Sequence, residues 1–219
     1  MRHSRFLRNG IPALALLVGA GLYIQPAAAL TIGFDDLTDN GFGTPIANGY
    51  QGLNWVGWQV LNTPDFTTNV GPNGAAAGTV SPPNIAWDAY GALAKITSAT
   101  PFTLVSADLT AFWNDGLQVT VAGYLDGVQQ DSVTDTVSST APILETFDFA
   151  NIDEIDISAT GGTQNPNYSG AGFDVAVDNL TITPMPVPAP PIGATPASFA
   201  VVAAGLVGMT LIRRRRRDT

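Results

Sequence analysis

Apolar and polar residues alternate in short runs through the middle of the chain. Leu117, Val119 and Val121 alternate with Gln118, Thr120 and Ala122, which sends one set to each face of a strand. Asp126-Gly127 follows, a pair suited to the tight turn of a hairpin, and residues 128–133 form the returning strand. Runs at 30–34, 55–61, 92–97, 102–105, 110–113, 144–149, 152–157, 173–177 and 179–183 read as further strands. Helical spacing is hard to find between residues 30 and 184. Many short strands separated by Gly, Asn and Pro predict an all-β domain, read here as a jelly-roll-like antiparallel β-sandwich. Two stretches break the pattern: 62–88, rich in Asn, Pro, Gly, Thr and Ala, and the Gly- and Asn-rich 161–172. Irregular stretches of this length are commonly functional or disordered, so ligand contact is expected there.

The two ends follow different rules. Arg2, Arg5 and Arg8 precede an apolar run at 11–24, and small residues at Ala27-Ala28-Ala29 suit a signal peptidase cleavage site. Residues 1–29 therefore read as a signal peptide, with Leu30 as the mature N-terminus. Residues 30–184 form the β-sandwich domain, and 185–191 a proline-rich linker too constrained to fold compactly. Residues 192–212 carry no charge and are long enough to cross a bilayer as a helix. Arg213, Arg214, Arg215, Arg216 and Arg217 come next, and such a cluster resists translocation, so 213–219 is expected to stay cytoplasmic. The chain is expected to cross the inner membrane and to be anchored by its C-terminal helix, transiently or permanently. Its body would then reside at the cell surface or outside the cell.

Charge changes the picture further. The whole chain has a formal charge of −9, but eight of its nine basic residues lie in the two ends. The 30–184 body carries seventeen acids and one base, Lys95, a formal charge of about −16. Nucleic-acid binding needs cations to replace phosphate counterions, so it is excluded as a function of this body. The chain has no cysteine, and its one histidine, His3, lies in the signal peptide. A Ser-His-Asp triad and Cys- or His-ligated metal sites are excluded on those grounds. Carboxylate chemistry survives, including glycoside hydrolysis by an acid pair, but no motif selects a pair and most acids sit in turn-like settings.

Two constellations remain. If the first and last strands lie side by side, Asp35 and Asp36 approach Asp178 and Asn179, an oxygen-rich set suited to a structural Ca²⁺. Trp55, Trp58, Trp87, Tyr90 and Trp113 offer flat apolar faces to a sugar ring, with Asn54, Asn84 and Asp88 to hold hydroxyls. Trp55 and Trp58 are three residues apart, so regular alternation sends them to opposite faces unless a bulge intervenes. Trp87 and Tyr90, beside the long irregular stretch, are the expected exposed pair.

The order of proline-rich motif, short span and terminal arginine cluster resembles the PEP-CTERM sorting signal. The motif here is Val187-Pro188-Ala189-Pro190-Pro191, without the usual Pro-Glu-Pro. The resemblance implies recognition by an exosortase-type sorting enzyme. Phe34-Asp35-Asp36-Leu37, Gly49-Tyr50-Gln51-Gly52-Leu53-Asn54-Trp55, Pro82-Pro83-Asn84-Ile85-Ala86, Ala111-Phe112-Trp113, Gly123-Tyr124 and the run from Phe173 to Leu180 resemble the β-sandwich body of exported PEP-CTERM proteins, similar in style to carbohydrate-binding modules. That resemblance implies a non-enzymatic surface or extracellular-matrix protein that binds or associates with extracellular polysaccharide. The alternatives are a carboxylate-dependent glycoside hydrolase and a purely structural surface protein.

Overall fold

The computed structural model describes residues 27–91 and 93–185. Most of the expected signal peptide, the expected sorting motif Val187 to Pro191, the apolar 192–212 run and the arginines 213–217 lie outside the described residues. Among the described residues no helix is long and apolar enough to cross a membrane.

The described part is an antiparallel β structure with two short helices. Its strands are β1 (Leu30–Ile32), β2 (Thr44–Pro45), β3 (Asn54–Val56), β4 (Trp58–Asn62), β5 (Asn84–Asp88), β6 (Ala94–Ala111), β7 (Asn114–Leu125), β8 (Val128–Val137), β9 (Ile143–Gln164) and β10 (Val175–Pro184). Hydrogen bonding links them in the order β2-β4-β5-β10-β6-β9-β7-β8, with β1 on β10 and β3 on β6. The first and last strands do lie side by side, Thr31 opposite Thr181.

Several runs that read as separate strands are halves of one. The 92–97, 102–105 and 110–113 runs fall largely in β6, and 144–149 and 152–157 both fall in β9. The β6–β9 register slips between Thr97 and Phe102 and twice more before Ser106. Each slip resets the inward parity, so alternation in the sequence breaks although the strand continues. Because of these bends, Leu117, Val119 and Val121 of β7 share one core with Leu104 and Leu109 of β6 and Val175 and Val177 of β10. The Asp126-Gly127 turn forms as expected, both residues at positive φ and Leu125 paired with Val128.

The 62–88 stretch departs from the expected irregular loop. It contains α1 (Thr63–Val70), α2 (Gly74–Gly78) and the strand β5. The Asn62 side chain accepts from the Asp65 amide at 3.1 Å, and Pro64 fills a first-turn position where no N–H is needed. Gly74 starts α2 where a Cβ would overlap the Ala111 carbonyl oxygen, so the helix can approach the sheet only without a side chain. These helices close a second core of Leu61, Phe66, Ala75, Ile85, Trp87, Phe112, Trp113 and Ala176. Strand β5 is consequently buried along its whole length.

Phe112 is fully buried there, its ring 5.6 Å from Phe66, 5.2 Å from Trp87 and 5.0 Å from Trp113 between centroids. Phe112→Ala should destabilise the domain by about 3 kcal/mol, the lower end for an emptied aromatic site. Urea titration checks this: the midpoint should fall with an unchanged slope.

Candidate functional site

Strand β5 leads into a one-turn segment, Ala89–Gly91, at one end of the sheet. Tyr90 sits there in the left-handed region, at φ 71 and ψ 24, and is 82% exposed. A non-glycine residue held so costs about 1–2 kcal/mol, and such strain gathers at functional positions. The Tyr90 ring meets Trp87 edge-on, 5.8 Å between centroids. Trp87 in turn packs on Phe66 and Phe112, so Tyr90 is the outermost ring of a braced aromatic series. The second loop, 165–174, carries Phe173, which is 44% exposed. The loops touch: a Cβ on Gly91 would lie 3.3 Å from the Phe173 amide nitrogen and 3.5 Å from Asp174 Oδ1.

Two buried carboxyls adjoin these segments in the chain, Asp88 before the turn and Asp174 after Phe173. Asp88 is fully buried; its Oδ1 accepts from the Val175 amide at 2.5 Å and its Oδ2 has no partner. Burial pushes the Asp88 carboxyl up to about 8, against the pull of the Val175 amide, and the charge of Asp174 adds to the rise. Asp174 is buried too; its Oδ2 accepts from Trp113 Nε1 at 2.7 Å while its Oδ1 is unpartnered. Burial pushes this carboxyl up as well, although the Trp113 donor favours its charged form. Asp88 is the root of the Tyr90 turn yet holds Val175; Asp174 adjoins Phe173 yet lies against Gly91. Each acid thus ties its own loop to the other.

The aromatic face expected from the sequence is largely internal. Trp55, Trp58 and Trp87 are each at most 5% exposed, and Asn84 and Asp88 are buried with them. Trp55 and Trp58 both point inward because Gly57, at φ 78, breaks the strand between them. β3 then pairs with β6 while β4 pairs with β5. Asn84 is a tether: its Nδ2 donates to the Phe34 and Leu37 carbonyls at 3.1 and 2.9 Å. Of the expected residues, Tyr90 alone presents its ring to solvent. Phe173 and Asp174 were not selected from the sequence, though an acid heading the apolar run Val175-Ala176-Val177 was a usable signal.

Of the expected metal residues, Asp35 Oδ2 and Asn179 Oδ1 both lie close to Gly33, and the acids accept from protein donors. Asp178 Oδ2 accepts from the Val80 and Ser81 amides at 2.8 and 2.7 Å, and its Oδ1 from Ser81 Oγ and the Asn179 amide at 2.9 and 2.7 Å. Asp35 Oδ1 accepts from the Asn84 amide, and Asp36 Oδ1 from the Tyr50 hydroxyl. Burial, and after it that bond, push the Tyr50 hydroxyl up. Among the described residues no three Asp, Glu, His or Cys side chains form a group able to hold a metal ion.

A cavity of about 160 Å³ lies elsewhere, lined by Gln51, Leu53, Thr100, Phe102 and Pro184 among others, and no ionisable side chain faces it.

No family model matches the chain, and no curated protein matches it in sequence. Sixteen solved chains match it in structure. One is a DUF4465 family protein from Bacteroides caccae, 12% identical, covering 73% of this chain and 94% of its own, with a TM-score of 0.47. A DUF4465 family protein from Bacteroides ovatus is 9% identical and covers 72% and 89%, with a TM-score of 0.40. TmCBM61, solved in complex with β-1,4-galactotriose, is 7% identical and covers 64% and 94%, with a TM-score of 0.36.

Proposed function

We propose that this is an exported surface or extracellular-matrix protein whose β domain associates with extracellular polysaccharide without transforming it. Signal peptidase removes the first 29 residues, and an exosortase-type enzyme recognises the proline motif, the apolar span and the arginine cluster. The apolar 192–212 span holds the chain in the membrane until then.

The observation that carries the binding reading is Tyr90. An aromatic ring held out in water on a strained backbone and braced from behind suits the apolar C–H face of a sugar, and the loop that touches its turn carries a second exposed aromatic, Phe173. The flanking chain carries no cation. A body with a formal charge of about −16 repels uronate-rich polymers, so the glycan expected is neutral. The non-catalytic reading is supported by the sealing of Asp88: a general acid must reach the proton-accepting oxygen of its substrate, and this one has no exposed surface.

Tyr90→Ala should weaken retention in affinity electrophoresis on neutral polysaccharide gels by about tenfold, the loss of roughly 1.4 kcal/mol. The urea midpoint should stay nearly unchanged, because an exposed side chain contributes little to folding. Unaltered retention by the variant, or no retention of the parent on any glycan, would contradict the reading.

A further inference from the structure

We infer that Asp88 and Asp174 form a proton-operated clamp: one proton held on the pair keeps the Tyr90 turn and the Phe173 loop together, and its loss loosens the binding face. The inference rests on the reading of Tyr90 and Phe173 as that face.

The geometry is reciprocal. Asp88 precedes the Tyr90 turn and binds the Val175 amide of the other loop's exit, while Asp174 anchors Trp113 and lies against Gly91 of the turn. Each acid keeps one buried oxygen without a donor, Asp88 Oδ2 and Asp174 Oδ1. Two buried carboxylates without a counter-charge repel each other, so one proton on the pair relieves the repulsion.

No cation on the surrounding elements can take the proton's place. Lys95 of β6, the one base of the described chain, is held by Glu154 and Asp156 of β9 at 2.6 and 2.8 Å. Of the other ionisable groups on the elements around the pair, Tyr90 lies on the turn itself, Tyr168 of the second loop donates its hydroxyl to the Ser139 carbonyl, Asp65 of α1 is exposed, and the strand acids are already bound by donors. Asp108 of β6 accepts from Asn179, Asp178 of β10 from Val80 and Ser81, and Asp115 of β7 from Ser138, Ser139 and Asn165. Strand β4 contributes no ionisable side chain. A divalent cation would need six or more oxygens, and the pair offers two unpartnered ones. When base removes the proton, the carboxyl O–H bond breaks, its electrons stay on oxygen, and the two anions separate.

The Trp113 indole N–H signal, bonded to Asp174, reads the clamp without any glycan. In an NMR titration of the wild-type protein it should move with a midpoint near the value of about 8 to which Asp88 is raised. The movement should vanish in Asp88→Asn, and Asp174→Asn should abolish the accompanying shift at Tyr90. Retention on the gel should weaken about thirty-fold between about pH 6 and 9.5, because the competent fraction falls to roughly 3%. In Asp88→Asn that ratio should stay below about two. A Trp113 signal constant from pH 5 to 10, one that still titrates in Asp88→Asn, or one moved by a chelator at fixed pH would overturn the clamp. A titrating signal with no glycan retained at any pH sinks the binding reading and leaves the clamp standing.

Discussion

Replacing Asp178 by alanine should destabilise the domain by about 5 kcal/mol, the largest loss expected from a single polar side chain here. Its carboxyl is fully buried and accepts four hydrogen bonds, from the Val80 and Ser81 amides, Ser81 Oγ and the Asn179 amide. Alanine leaves all four donors facing a space without an acceptor, and each orphan costs about 1–3 kcal/mol. Some of that is recovered where water reaches Ser81 at the edge of the site. The segment that loses its hold is the one entering β5, so protection from hydrogen exchange should fall first at Val80 to Asn84. Asp178→Asn keeps one accepting oxygen and should lose about half as much. Urea denaturation of the three proteins tests this; equal midpoints for the parent and Asp178→Ala would show that the carboxyl does not tie the segment down.

The pH dependence contributed by Asp88 should be of similar size and runs against acid denaturation. Its folded-state carboxyl is raised from 3.8 to about 8. Between those values the folded chain keeps the proton and the unfolded chain releases it, so the folded state binds more protons. Stability is therefore fully present below about pH 4 and is lost as pH rises towards 8, at up to about 1.4 kcal/mol per unit. The total is on the order of 5 kcal/mol. Asp88→Asn removes the titration while its amide oxygen can still accept from Val175. The variant should match or fall below the parent near pH 4 and exceed it at pH 8. Subtracting the two stability–pH curves isolates this group from the sixteen other acids of the 30–184 body. A flat difference would mean that Asp88 is ionised in the fold.

Architecture was more legible in the sequence than orientation was. Alternation in β7 and a hairpin at Asp126-Gly127 follow from local patterning and are present, and the pairing of first with last strand, considered as a feature of jelly rolls, is present too. The helices at 63–78 were missed because their signals are caps, Asn62 with Pro64 and Asn73 with a short alanine run, set in a Gly- and Pro-rich background. The tryptophans were misplaced for a different reason: a period of two assumes an unbroken strand, and the positive φ of Gly57 resets it between Trp55 and Trp58. Asp88 was read as a polar contact for a sugar because buried acids are rare. Its neighbours Ile85, Ala86 and Trp87 already marked the strand as internal, but covering of the outer face by α1 and α2 is a tertiary event that periodicity does not carry.

Mapping a neutral polysaccharide fragment onto the protein by NMR tests the central assignment most directly. Shift changes that saturate together at Tyr90, Gly91 and Phe173, and extend inward to Trp113, are the expected result. Changes centred on the cavity at Gln51 and Phe102, or scattered over the surface without saturation, would contradict it.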